Sequence, residues 1–358
     1  MREFGKMKNT KSIVVAVIAF VVAAAYAAPA SSAFAQSSSA LSIVPKKNYV
    51  IESGKSVKDK LSIRNLDASR DLELTLKVVD FSYTDDGGTP KLFLDSSAPQ
   101  TTWSLRPYLK VPETVVVPKG STKTVDMSVA IPNGHGAGSY YSAIVYSSGT
   151  PSGGGNVGLS ASGVTLVFTQ IPGKVNEDLK LQRLGAYKNA TPTTAAHYVS
   201  VATEEPQLIA YTLKNEGNVT EAPAGSITLK GWFGSPITIN NVNPSGSLAL
   251  IGQTRTYTAC IKLKETEVNF SGQLSQASGC VSPGLLPGPY TVTLDLYYGQ
   301  NGNKTREVTG VTTFWYLPWW FIIVFTLVLL VVAYFTWRTV RWVRAKFGIA
   351  PSSRSRRR

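Results

Sequence analysis

The sequence predicts an all-β protein, with two tandem immunoglobulin-like β-sandwich domains set between an N-terminal signal peptide and one C-terminal transmembrane helix. Three observations predict it. A charged, then apolar, then small-residue order opens the chain. The interior is built of short alternating segments broken by Gly, Pro, Asn and Ser clusters. A long run without ionisable side chains lies near the end.

At the start, Arg2, Lys6, Lys8 and Lys11 precede an apolar run from Ile13 to Ala25 and the sequence Ala33-Phe34-Ala35. That order is the grammar of a cleavable secretory signal over residues 1–35, with cleavage expected between Ala35 and Gln36. The apolar run is short for spanning a hydrocarbon core of ~30 Å.

At the other end, residues 314–337 carry no ionisable side chain, and as a helix they would reach about 36 Å, enough to span. Trp315, Trp319 and Trp320 gather at one boundary and Trp337 and Trp342 at the other, as expected of side chains placed in the two headgroup layers. Pro318 falls in the expected first turn, where its missing N–H costs no helical bond. The tail, residues 338–358, holds eight basic and no acidic residues, which places it on the cytoplasmic side. The expected topology is single-pass type I at the cell membrane, with the ectodomain extracellular. Of the formal charge of +14, the signal holds +3, residues 36–313 hold +3 and the tail holds +8. The basic balance therefore follows from targeting and topology, and no nucleic-acid partner is expected. Membrane lipid phosphates are the expected neighbours of the tail.

The exported part divides into two sandwiches, residues 36–173 and 174–313. In the first, Leu72, Leu74, Leu76 and Val78 alternate with Asp71, Glu73, Thr75 and Lys77. Val125, Met127, Val129 and Ile131 alternate likewise after a Pro118-Lys119-Gly120-Ser121 turn. One dry and one wet face is the pattern of antiparallel sheets packed face to face. Further strands are expected over residues 57–65, 139–147 and 164–171, with a glycine-rich loop at 149–158. In the second domain Ile209, Tyr211 and Leu213 lead into the turn Asn215-Glu216-Gly217-Asn218. Residues 290–298 form the last strong strand, and a short connection to the membrane helix is expected after it.

Cys260 and Cys280 are the only cysteines, and on the exported side they are expected to pair. Tyr257, Ala259, Ile261 and Leu263 are expected to face inward, leaving Cys260 outward to clip down a polar excursion over residues 269–279. Neither cysteine has a CxxC spacing or a neighbouring histidine, and His135 and His197 fall in different domains, so no metal site, thiol chemistry or cofactor is expected. Asp85-Asp86-Gly87-Gly88 offers only two carboxylates, too few for calcium, and reads as an acidic turn. No nucleophile elbow, phosphate loop or dinucleotide fingerprint is present, so no enzymatic site is expected.

Several short motifs carry a family resemblance: Ile43-Val44-Pro45 to Tyr49, Glu52-Ser53-Gly54-Lys55-Ser56, Leu61-Ser62-Ile63-Arg64-Asn65, Val117-Pro118-Lys119-Gly120-Ser121 and Gly138-Ser139-Tyr140-Tyr141. In the second domain Leu286-Pro287-Gly288-Pro289-Tyr290-Thr291-Val292 joins them. With these motifs and this order of parts, the chain resembles the WxL-interacting proteins of Gram-positive cell surfaces. The resemblance implies a peptidoglycan-binding first domain, a second domain that binds host surfaces or partner proteins, and no catalytic residue. The cysteine pair and the excursion after Leu263 depart from the family pattern.

The expected function is thus a non-enzymatic surface protein that binds cell-wall glycan or recruits surface proteins. The alternative is a membrane-anchored assembly chaperone that pairs strand edges with secreted subunits. Glycans stack on exposed aromatic faces, a role for which Trp103, Tyr140, Tyr146 and Trp232 are candidates, although each reads first as core or strand packing.

Overall fold

A computed structural model describes residues 41–83, 88–95, 99–148, 161–270, 273–299 and 305–346. The signal peptide with its Ala35–Gln36 site, the turn at Asp85-Asp86, the glycine-rich loop and the tail beyond residue 346 lie outside them.

The first domain runs β1 (Leu41–Ile43), β2 (Lys46–Val50), β3 (Ser56–Asn65), β4 (Leu72–Val79), β5 (Phe81–Tyr83), β6 (Pro90–Leu92), β7 (Leu109–Lys110), β8 (Thr114–Val117), β9 (Thr122–Ala130), β10 (Gly138–Ser148) and β11 (Ala161–Ile171). Two sheets, β1-β3-β9-β7 and β2-β11-β10-β4-β8, enclose a core of Leu61, Ile63, Leu74, Leu76, Val117, Ile144 and Val167 among others. The alternation of β3, β4 and β9 is what fills it, each strand giving every second side chain to the interior. At Val44-Pro45 the first strand leaves one sheet for the other, where β2 lies parallel to β11.

The second domain runs β12 (Leu179–Lys188), β13 (His197–Val199), β14 (Val201–Ala202), β15 (Leu208–Asn215), β16 (Ala224–Gly231), β17 (Ile237–Asn240), β18 (Thr254–Cys260), β19 (Leu263–Phe270), β20 (Gln273–Cys280), β21 (Gly288–Tyr298) and β22 (Arg306–Tyr316). Its sheets are β13-β12-β15-β18 and β14-β22-β21-β16-β17, around Tyr211, Leu213, Ile227, Val292, Leu294 and Phe314.

The two sandwiches meet in an apolar joint. Val79, Phe81, Tyr141, Ala143, Val145 and Phe168 of the first domain pack with Leu250 and Ile251 of the second. Strand β10 is therefore buried on both faces, one toward its own core and one toward the joint. Polar contacts cross the joint as well. The Tyr83 amide donates to Gln253 Oε1 at 2.9 Å, the Ser139 amide to the Asn218 carbonyl at 3.0 Å, and Asn218 Nδ2 to the Ala137 carbonyl at 3.1 Å. The Arg255 guanidinium stacks over Tyr83 at 4.9 Å and over Tyr257 at 5.2 Å, one ring from each domain.

Two features differ from the sequence reading at the C-terminal end. Residues 314–316 finish β22 and do not begin a helix: Phe314 pairs with Tyr290 and Tyr316 with Gly288. The helix α1 spans Trp319–Lys346, beyond the expected end at Trp337, because no Gly or Pro interrupts the arginine-rich stretch up to Lys346. At 28 residues it is about 42 Å long. None of it is buried against the sandwiches, and it is long and apolar enough to cross a membrane. Only Leu317 and Pro318 separate it from β22.

The excursion after Leu263 is a two-stranded hairpin, β19 against β20, in register from Leu263↔Cys280 to Phe270↔Gln273. Leu263 does not face inward as expected. Its side chain is exposed, because the chain leaves the sandwich at Lys262 and the alternation of β18 does not continue past Ile261. A disulfide joins Cys260, the last residue of β18, to Cys280, the last of β20, with Cα atoms 5.2 Å apart. It fastens the base of the hairpin to the sandwich. A two-stranded hairpin alone is marginal in water. Reduction is expected to remove about 3 kcal/mol of chain-entropy restraint, felt chiefly in the hairpin. Hydrogen exchange should accelerate over residues 263–280 while the amides of Ile209 and Tyr211 stay protected. Equal acceleration in both places would show the hairpin and sandwich to unfold as one.

Candidate functional site

In the first domain, β3 turns Lys58, Lys60, Ser62 and Arg64 outward while Val57, Leu61 and Ile63 turn in. Register fixes their neighbours: Lys60 lies opposite Asp126 of β9, and Lys58 opposite Ser128, which in turn lies opposite Lys110 of β7. Directly opposed side chains on one face stand about 5 Å apart. Four cations thus share one exposed sheet face with a single carboxylate, and none of the four forms an ion pair among the described residues. A depression of about 560 Å³ is set into this face, lined by Lys58, Asp59, Lys60, Lys110, Pro112 and Asp126.

The second carboxylate on the rim is compensated. Asp59 takes an ion pair from Lys47 at 2.5 Å and a hydrogen bond from the Tyr49 hydroxyl at 2.5 Å, and the Lys60 amide donates to it at 2.7 Å. The Lys47 and Tyr49 bonds, followed by the Lys60 amide, hold the Asp59 carboxyl down to about 2. Burial, followed by the same carboxylate, pushes the Tyr49 phenol upward. The face around the depression therefore stays net positive across the physiological range. It offers several donors beside one carboxylate, Asp126, that forms no ion pair among the described residues: the arrangement can hold anionic groups at several points.

A comparable depression of about 540 Å³ in the second domain is lined by Tyr187, Lys188, Glu204 and Glu205. There Lys188 pairs with Glu204 at 2.8 Å, and Glu205 accepts from Ser282 and from the Leu285 amide. One lysine against two carboxylates leaves it with no positive excess.

The aromatic residues expected to stack on glycan are dispersed. Tyr146 is buried in the first core with its hydroxyl on Thr165 at 3.1 Å, so it faces no ligand; the strand's two-sided burial takes it in. Trp103 belongs to the joint, tilted on Tyr141 at 6.4 Å and touching Gly252. Tyr140 lies edge-on to His135 at 4.5 Å and donates to the Gly136 carbonyl, while Tyr108 is edge-on to the same imidazole at 5.0 Å, its hydroxyl 3.1 Å from Nε2. Trp232 alone is strongly exposed, 75%, and it stands beside Trp315 at the helix end of the second domain. These four form no common stacking surface. His135 and His197 stay in separate domains, and among the described residues no cluster of three or more potential metal ligands occurs. Trp319, Trp320, Trp337 and Trp342 all lie on α1, with Arg341 over Trp337 at 4.6 Å and Lys346 over Trp342 at 4.7 Å.

No protein-family profile and no curated protein matches the sequence. Among solved structures the chain is similar to one from the chaperone–tip adhesin complex of CFA/I fimbriae, at 9% identity and a TM-score of 0.35, over 76% of this chain and 98% of that one. It is similar to the E. coli chaperone DraB at 12% identity and a TM-score of 0.30, over 77% and 96%. The Pseudomonas aeruginosa CupB2 chaperone is similar at 8% identity and a TM-score of 0.28, over 74% and 96%. None of these likenesses assigns a partner.

The basic face is within reach of the sequence. Lys58-x-Lys60-x-Ser62-x-Arg64 is a period of two inside a predicted strand. Lys110 joins it only through the β7–β9 register, which no local pattern encodes.

Proposed function

We propose that the protein is a non-enzymatic, single-pass surface module of the WxL-interacting type, whose first sandwich holds an anionic cell-wall glycan on the face of Lys58, Lys60, Arg64 and Lys110. The observation that carries this reading is four cations without ion-pair partners among the described residues on one rigid sheet face, around a depression where Asp59 is already compensated by Lys47 and only Asp126 opposes them. In this reading the signal peptide is removed, both sandwiches stand outside, and α1 leaves the basic tail in the cytoplasm. Carboxylates or phosphates of the wall would meet the cations, with Ser62 and Ser128 supplying hydrogen bonds between them.

Replacing all four cations by serine is expected to lower retention on purified cell wall at low salt by at least about tenfold, the equivalent of ~1.4 kcal/mol. Added salt should do the same to the unmodified protein. The unfolding midpoint should stay put, since the four side chains are exposed. Unchanged retention of the serine variant would remove the face from the account.

The chaperone reading has one observation of its own. Strand β18 is last in its sheet, spans seven residues, and turns Thr254, Thr256 and Thr258 outward with no outward lysine or proline to guard the edge. A client strand pairing there should be blocked by Thr258→Lys, which in cells would reduce surface display of that client; undiminished display would exclude this edge.

A further inference from the structure

The turn between β16 and β17, Trp232-Phe233-Gly234-Ser235-Pro236, has no charged residue, and its two aromatic side chains are 75% and 64% exposed. Two such rings standing largely in water mark a surface for a partner. Strand register tells where they stand. Gly231 lies opposite Tyr290, and Tyr290 opposite Phe314, so the chain passes beyond that row in the direction in which β22 runs on to the helix. Trp232 there meets Trp315 edge-on, with ring centroids 6.1 Å apart. Val201 pairs with Trp315, and Leu286 precedes the Gly288↔Tyr316 pair. Both are exposed at the same end. Three residues beyond Tyr316 the helix begins with Trp319 and Trp320.

We propose that the Trp232-Phe233 turn is a second membrane contact: it dips into the headgroup layer of a phospholipid bilayer beside α1, seating the second sandwich on the membrane. The inference rests on the reading of α1 as a membrane anchor. The continuity of the apolar surface from the turn through Trp315 to the tryptophans of α1 selects lipid as the occupant. Tryptophan and phenylalanine suit that layer, and exposed Lys230, just before the turn, can reach lipid phosphate. One helix joined by two residues would leave the domains free to tilt, whereas a second contact to one side of it restricts that tilt.

The test uses the full chain, with Cys260–Cys280 oxidised, in nanodiscs of phosphatidylcholine and phosphatidylglycerol. An environment-sensitive fluorophore is attached at Phe233→Cys, or at Trp232→Cys as an independent position. Val328→Cys on α1 and Ser62→Cys on the first domain serve as references. Spin-labelled lipid carrying its quencher just below the headgroup is expected to remove most of the emission at 233. Quencher at the acyl-chain end should act at 328, and neither should act at 62. Quenching at 328 with none at 233 or 232 overturns the turn's membrane contact and leaves the anchor standing. A blue shift at 233 without lipid quenching assigns the patch to protein and overturns it equally. No quenching at 328 overturns the anchor, and the second contact with it.

Discussion

Phe314→Ala is expected to destabilise the second sandwich by about 3 to 5 kcal/mol, the range for emptying a buried phenylalanine site. The side chain is 1% exposed, in the core between the two sheets. It stacks on Tyr290, its cross-strand partner in β21, at 5.4 Å with rings nearly parallel. The neighbouring Trp315 points the other way, so Trp315→Ala should cost less than about 1 kcal/mol. The comparison is made on a soluble chain ending at Leu317, whose amide closes onto the Ala202 carbonyl. A chain ending at Thr313 would lack both Phe314 and Tyr316 and should be as unstable as the alanine variant. Equal denaturant midpoints for Phe314→Ala and Trp315→Ala would mean that these residues belong to the helix and not to the sheet.

Glu221→Gln is expected to stabilise the protein above neutral pH by about 2 to 3 kcal/mol and to flatten its pH dependence. Glu221 is 2% exposed, and one carboxylate oxygen accepts from the Gly299 amide at 3.2 Å. The other has no hydrogen-bond partner among the described residues. Burial first, and the nearby Glu177 charge second, push this carboxyl up to about 7. The folded protein therefore holds a proton that the unfolded chain, titrating near 4.5, has lost. The contribution of this group to stability falls as pH rises between those two values, and the full cost of ionising a buried carboxyl applies above the upper one. Urea melts of the native chain and of the Glu221→Gln variant at several pH values should converge at the acid end and separate through neutrality. Parallel curves would show that the carboxyl ionises without cost.

How legible this is differs from strand to strand, for physical reasons. Strands β3, β4, β9 and β21 face one core and one solvent layer, and their alternation shows in the letters. Strand β10 has no wet face, so its run Tyr140 to Tyr146 tells of a strand but not of the second surface covering it. That surface comes from Leu250, Ile251 and Trp103, remote in sequence. The end of the strand before the helix reads as membrane span because its apolar residues run without a break into lipid-compatible ones. In addition, Gly310, at an inward position of β22, has yielded its side-chain space to Leu181 and so blurs the alternation. The true boundary is Pro318, which cannot donate to a ladder and is tolerated at a helix start. The hairpin β19–β20 reads as a polar excursion because its strands pair only with each other, in a sheet of two, and the disulfide at its base ties that sheet to the sandwich. As for the site, side-chain chemistry singles out the aromatic residues without knowledge of burial, and packing claims Tyr146 and Trp103. The lysines of β3 are set outward by the pleat.

The most direct measurement is labelling of lysines on intact cells with an impermeant amine reagent, read peptide by peptide by mass spectrometry. Export of the sandwiches on a membrane-crossing α1 predicts label on Lys58, Lys60, Lys110 and Lys264 before lysis, and on Lys346 only after the membrane is opened. Label on Lys346 in intact cells, with the lysines of the first sandwich protected until lysis, would contradict it.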